Sequence, residues 1–184
     1  MKLPYKPELL RFPIGPFTVT TDFSNELKER AIATIRKLPE RLYEITAEIQ
    51  EDQLEWCYRP GGWSIRELIH HLADSHMNAF LRLKWALFEE NTSIKGYDEA
   101  AWSESADVTH TPTVASLQLL DGLHERWATL LSSLKQEDWS KGYFHPEQQR
   151  VVDLKEYVQS YAWHSRHHYR HILLALDHEG KYKK

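Results

Sequence analysis

The chain has 184 residues, 23 basic and 27 acidic side chains for a net charge of -4, and 41% hydrophobic and 27% charged residues. That size and balance predict a single domain over residues 1–184 with an ordinary soluble composition, and they exclude the clustered basic excess that nucleic-acid binding requires. No apolar run reaches the ~18 residues needed to span a bilayer, no signal-peptide core opens the chain, and the one cysteine, Cys57, excludes an intrachain disulfide, so a cytoplasmic location is expected.

Residues 1–22 carry four prolines (Pro4, Pro7, Pro13, Pro16) and are expected to wrap over the surface. The first helix is predicted to start after Asp22 or Ser24. Leu27, Ala31, Ile35, Leu38, Leu42, Ile45 and Ile49 keep a three-four rhythm, and Pro39 predicts a kink or a break within it. After the turn Tyr58-Arg59-Pro60-Gly61-Gly62-Trp63, Ser64-Ile65-Arg66-Glu67 has the form of a capping box, with Trp63 and Leu68 as a hydrophobic staple. This second helix is predicted to run to about Glu89. Residues 91–112 read as a structureless loop, and loops of that length are often functional. A third helix follows to about Leu134, with Leu117, Leu120, His124, Trp127, Leu131 and Leu134 on one stripe. Trp139 to Val152 is read as a small hairpin. A box-like start at Asp153-Leu154-Lys155-Glu156 opens a fourth helix to about Asp177. Scarce glycine and no lasting alternation support an all-α class, and four long helices predict an antiparallel four-helix bundle.

The chemistry lies in the eleven histidines. His164 and His168 are spaced i, i+4, so on a helix they stand one above the other, close enough to share an ion. Both flank the inward stripe Leu154, Tyr157, Val158, Tyr161, Ser165, Ile172 and Leu176, and His171 lies beside them as a partner or an alternative ligand. His167 points away and reads as exposed. On the second helix His71 flanks the core stripe, in line with Ser75, Asn78 and Arg82, while His70 reads as exposed. His76 and His124 lie within apolar stripes, where hydrogen-bonded core histidines are the favoured reading. If the two flanks face each other, His71, His164 and His168 converge. Three imidazoles with open positions are what catalytic metal sites use. Boundary histidines serving only structure remain the alternative.

Three motifs carry a resemblance: Tyr58-Arg59-Pro60-Gly61-Gly62-Trp63-Ser64, His70-His71-Leu72-Ala73-Asp74-Ser75-His76-Met77-Asn78, and Tyr161-Ala162-Trp163-His164-Ser165-Arg166-His167-His168. With Arg11-Phe12-Pro13-Ile14-Gly15-Pro16-Phe17 and Tyr97-Asp98-Glu99-Ala100-Ala101-Trp102, they make nearly the whole chain similar to the YfiT-like branch of the DinB superfamily. The resemblance implies a four-helix bundle, usually a homodimer, that holds one divalent metal such as Zn2+ or Ni2+ through His71, His164 and His168. It also implies a metal-dependent hydrolase acting on a small-molecule substrate. Related members are bacillithiol S-transferases, so transfer of a low-molecular-weight thiol to an electrophile is the alternative reaction.

Three neutral imidazoles leave the ion's charge uncompensated, which suits activation of either water or a thiol. Asn78 and Arg82 are candidates for orienting substrate, His171 is a candidate general base, and the 91–112 loop with Tyr97 and Trp102 is a candidate lid. Cys57 precedes Tyr58 in a loop with no evident basic helix terminus to lower its pKa and reads as a bystander. No glycine-rich phosphate loop or dinucleotide fingerprint is present. A non-catalytic bundle with a structural metal, or a stress-response binding module, is the competing class.

Overall fold

Three of the four long helices begin on side chains that accept their first free backbone donors. Helix α1 (Asn25–Thr46) starts at Ser24, whose hydroxyl accepts from Leu27 N–H at 3.2 Å. Helix α2 (Ile65–Phe88) has the full reciprocal box: Ser64 N–H donates to Glu67 Oε2 at 2.7 Å and Glu67 N–H donates to Ser64 Oγ at 3.3 Å. Helix α3 (Thr113–Ser132) follows Pro112. Helix α4 (Leu154–Asp177) starts at Asp153, which accepts from Glu156 N–H at 2.8 Å. Only half of the box expected there is formed, because the Glu156 carboxylate pairs with Arg150 at 2.6 Å instead of reaching back. The hairpin is present as β1 (Gly142–His145) antiparallel to β2 (Arg150–Asp153), with Tyr143 opposite Val152. This computed structural model describes residues 7–90 and 92–184. Residues 1–6 of the expected surface wrap, and Asn91 of the expected loop, lie outside the described residues.

Pro39 does not break α1, which continues to Thr46 with Ala31, Ile32, Ile35, Leu38 and Leu42 buried. A helical proline removes one amide donor and deprives one carbonyl, four residues earlier, of its partner. Here that carbonyl belongs to Ile35.

Two apolar clusters give the helix directions. One joins Ala31 and Ile35 of α1, Ala79 and Leu83 of α2, Trp127 and Leu131 of α3, and Tyr157 and Tyr161 of α4. The other joins Leu38 and Leu42, Leu68 and Leu72, Leu117 and Leu120, and Ile172 and Ala175. Helices α1 and α4 therefore run one way, and α2 and α3 the other. The principal packing pairs are α1 with α3 and α4, and α2 with α3 and α4. Consecutive helices α1 and α2 thus stand diagonally, as do α3 and α4.

Because α2 and α3 run in the same direction, their link must return the length of the bundle, roughly 36 Å for a 24-residue helix. That requirement explains residues 89–112. The segment is not structureless. It carries short helices Glu99–Ser103 and Ala106–His110 packed on α2, and Phe144 N–H donates to Thr92 O at 2.8 Å where it meets the hairpin.

Between the two clusters lies a layer of histidines. His76 and His124 are 0% exposed, His164 of α4 meets His76, and His168 and His171 follow along α4. Two expected exposures are corrected. His70 is buried beneath α3 and the crossover segment, its Nδ1 2.8 Å from Ser116 Oγ. His167 is buried because the N-terminal segment covers that face of α4: it stacks on Trp163 at 4.3 Å and meets Phe12 at 5.9 Å. Trp163 Nε1 donates to Gly15 O at 3.1 Å, and Gln159 exchanges hydrogen bonds with Thr20.

Burial pulls His124 down to about 4, as it does His71. The unfolded chain, with ordinary histidines near 6.5, binds protons first as pH falls. Stability of the metal-free protein is therefore full above about pH 6.5 and lost toward pH 4, at about 1.4 kcal/mol per pH unit for each such histidine. Urea unfolding midpoints measured across that window check this, and a flat midpoint would contradict it. In the same assay at neutral pH, Ser64→Ala is expected to cost about 1 kcal/mol through loss of the cap.

Candidate metal centre

Helix α2 presents His71 from the flank of its core stripe, and the antiparallel contact with α4 sets it opposite His164 and His168. One nitrogen from each of the three lies within 4.8 Å of the other two. His71 Nε2 and His164 Nε2 are 3.3 Å apart. A tetrahedral ion with metal–nitrogen bonds near 2.0–2.1 Å separates its ligand atoms by roughly 3.3 Å, so this pair already has the spacing of two ligands. The ring centroids of His71 and His168 are 4.7 Å apart, and those of His164 and His168 4.4 Å.

Electrostatics suit ligation as well. Desolvation by burial lowers all three pKa values, that of His71 to about 4 and those of His164 and His168 well below the ordinary histidine value, and each added imidazolium would repel its neighbours. Neutral imidazole is the form a metal takes. His71 and His168 are buried and His164 is half-buried, with its Nε2 facing His71 and its Nδ1 facing His76. Trp63 walls one side, its ring 4.4 Å from His71 and 6.0 Å from His168. The residue expected as a helix staple thus also packs against two of the candidate ligands. Chemistry and spacing both fit a divalent cation.

The remaining candidates fall at different depths. Arg82 donates to Tyr161 Oη at 3.1 Å and to Lys95 O at 3.4 Å, and among the described residues it forms no ion pair. Tyr161 in turn packs 6.0 Å from the His164 ring. The Tyr97 hydroxyl lies near Ser75, Arg82 and Tyr161, buried without a hydrogen bond of good geometry. Tyr97 and Trp102 pack at 4.4 Å in the crossover segment. Asn78 spends its amide on Asp74 O of its own helix at 2.9 Å. His171 is 2% exposed and its Nε2 faces Arg11 O at 3.2 Å, a placement unlike that of a solvent-facing general base. His167, His168 and His171 form a second close group, which shares His168 with the first. Cys57 is buried, and desolvation followed by the charge of Glu67 raises its thiol pKa.

The centre has neighbours whose role is not visible in helical angles. His76 Nε2 is 3.0 Å from His164 Nδ1, His76 Nδ1 is 2.9 Å from His124 Nε2, and His124 Nδ1 is 2.6 Å from Ile35 O. In sequence both histidines look like core residues. Only the coincidence of Pro39 four residues after Ile35 marks a carbonyl in need of a donor.

Known proteins share this fold and much of this sequence. "Putative metal-dependent hydrolase YfiT" of Bacillus subtilis is 39% identical over 163 residues, 89% of this chain and 92% of its own length. A protein of Geobacillus thermodenitrificans, named "Putative metal-dependent hydrolase", is 39% identical over 171 residues, 93% and 96% of the two chains. One from Bacillus cereus strain B4264 is 43% identical over 163 residues, covering 89% and 93%. The solved structure of YfiT from Bacillus subtilis, described as a probable metal-dependent hydrolase with an unusual four-helix bundle topology, matches with a TM-score of 0.89 at 38% identity over 94% of this chain and 98% of that one. The sequence profile of the DinB superfamily matches residues 27–172, and this chain belongs to that superfamily.

Proposed function

We propose that this protein is a divalent-metal-dependent hydrolase of a small-molecule substrate, with the ion held by His71, His164 and His168. The observation that carries the proposal is the convergence of His71, His164 and His168, with one nitrogen of each within 4.8 Å of the others and, among the described residues, no fourth side chain in the group. A divalent ion held there supplies Lewis acidity at its open positions, and imidazole donors suit both Zn2+ and Ni2+. A structural site would close its fourth position with protein.

The chain's own residues supply the rest. Trp63 excludes water from one side of the ligands. Among the described residues Arg82 makes no carboxylate ion pair, and its partner Tyr161 retains a hydroxyl proton to donate. Together they favour a substrate that presents an anionic or carbonyl oxygen beside the centre. Asn78, already bonded to its own helix, is the weaker candidate for orienting substrate. A cytoplasmic homodimer is part of this proposal, supported by composition and the family resemblance.

Metal content decides the first point. Wild type is expected to bind one Zn2+ or Ni2+ per chain, and His71→Ala, His164→Ala and His168→Ala are each expected to lose at least about 100-fold in affinity, since each removes a ligand. Folded variants that retain stoichiometric metal would refute the ligand set. Activity decides the second. Model esters and amides should turn over with metal alone, and Arg82→Met should raise KM more than it lowers kcat. Turnover that depends strictly on an added low-molecular-weight thiol would replace hydrolysis with S-transfer.

A further inference from the structure

We infer that two hydrogen-bond relays ending on backbone carbonyls fix the tautomers of both α4 ligands, making His76, His124 and His171 positioning residues for the centre. The inference rests on the metal-site reading above for its purpose, although the order of the hydrogen bonds stands on geometry alone.

A carbonyl oxygen can only accept, so the direction of each relay is set at its far end. The Ile35 carbonyl, 2.6 Å from His124 Nδ1, requires that nitrogen to carry the proton. His124 is 0% exposed, and burial disfavours a second proton on its ring, so Nε2 is left as an acceptor. His76 Nδ1, 2.9 Å away, must then donate, which leaves His76 Nε2 to accept. His164 Nδ1, 3.0 Å from it, donates in turn. What remains on His164 is a bare Nε2 lone pair, and it faces His71 Nε2 at 3.3 Å. The order cannot be reversed without setting a lone pair against the carbonyl.

The shorter relay follows the same logic. His171 Nε2 donates to Arg11 O at 3.2 Å, its Nδ1 accepts, and His168 Nδ1, 3.4 Å away, donates. Its Nε2 is thereby freed. A face-to-face contact with Tyr58, ring centroids 3.8 Å apart, holds the His171 ring in place. Ligation through Nε2 needs the proton on Nδ1 and an acceptor to keep it there, and both relays provide that.

Pro39 supplies the anchor of the longer relay. In an unbroken helix the Ile35 carbonyl would accept from the amide of residue 39, and proline has none. A buried carbonyl left without a donor is costly, and His124 pays that debt across the bundle. The residue that looks like a helix breaker thereby ties α1, which contributes no ligand, to the centre.

The test begins with metal-free wild type labelled with 15N at histidine. Long-range proton–nitrogen spectra near neutral pH should show His164, His168, His76 and His124 protonated on Nδ1 and His171 on Nε2. His164 protonated on Nε2 would overturn the inference. His124→Phe should then weaken Zn2+ affinity about 10- to 100-fold by chelator competition, as loss of such outer partners does. His124→Gln should restore most of it, because its amide can donate to Ile35 O and accept from His76. A folded His124→Phe that binds Zn2+ within twofold of wild type would also overturn the relay. Should that variant not fold, the wild-type spectra and the Gln variant still decide. Wild type that shows these tautomers yet binds no Zn2+ sinks the metal reading and leaves the hydrogen-bond order standing.

Discussion

Buried polar atoms must find partners, and in this bundle that requirement is concentrated in one layer of imidazoles. His76, His124 and His164 divide the apolar interior into two clusters, one toward each end. Each unsatisfied nitrogen there would cost about 1–3 kcal/mol, a large share of the 5–15 kcal/mol that holds a typical domain together. The layer is therefore tolerable only when the four helices sit in one register. A slide of α3 against α1 by one turn would part His124 from the Ile35 carbonyl. Apolar packing makes the bundle stable, and the imidazole layer makes its register single-valued.

Topology then decides which histidines meet. The candidate ligands come from α2 and α4, which are neighbours and antiparallel, so the middle of one helix faces the middle of the other. Helices α2 and α3 run together, and the link between them must travel the length of the bundle. That crossover covers the outer side of α2 and brings Tyr97 near Arg82 and Tyr161. One long connection thus closes the topology and sets Tyr97 beside Arg82 and Tyr161, which explains its length without a separate functional insertion.

Much of this was legible in the sequence because it depends on local periodicity. The caps at Ser64 and Asp153, a first-helix start narrowed to Asp22 or Ser24, the hairpin, and the flank positions of His71, His164 and His168 follow from spacing of 3.6 or 2 residues and from turn chemistry. What was not legible depends on which helix faces which. Angle alone made His70 and His167 look exposed, since it cannot know that α3 and residues 12–17 lie over them. It assigned His76 to the core correctly, yet it could not show that the ring touches a ligand candidate. Short helices in the crossover escaped notice because five residues carry too little periodic signal.

Pro39 shows why local rules fail in an informative way. Propensity reads a proline fifteen residues into a helix as damage, with a lost hydrogen bond and an expected break. The helix persists because its buried face is packed along both sides of the proline, at Ile35 and Leu42. The lost bond is then recovered from another helix, and the recovery has a direction. A proton donated to Ile35 sets the next ring as acceptor, and so on to His164. In this fold a local defect in α1 thus specifies which nitrogen is bare about three hydrogen bonds away, which no pairwise reading of the ligands would reveal.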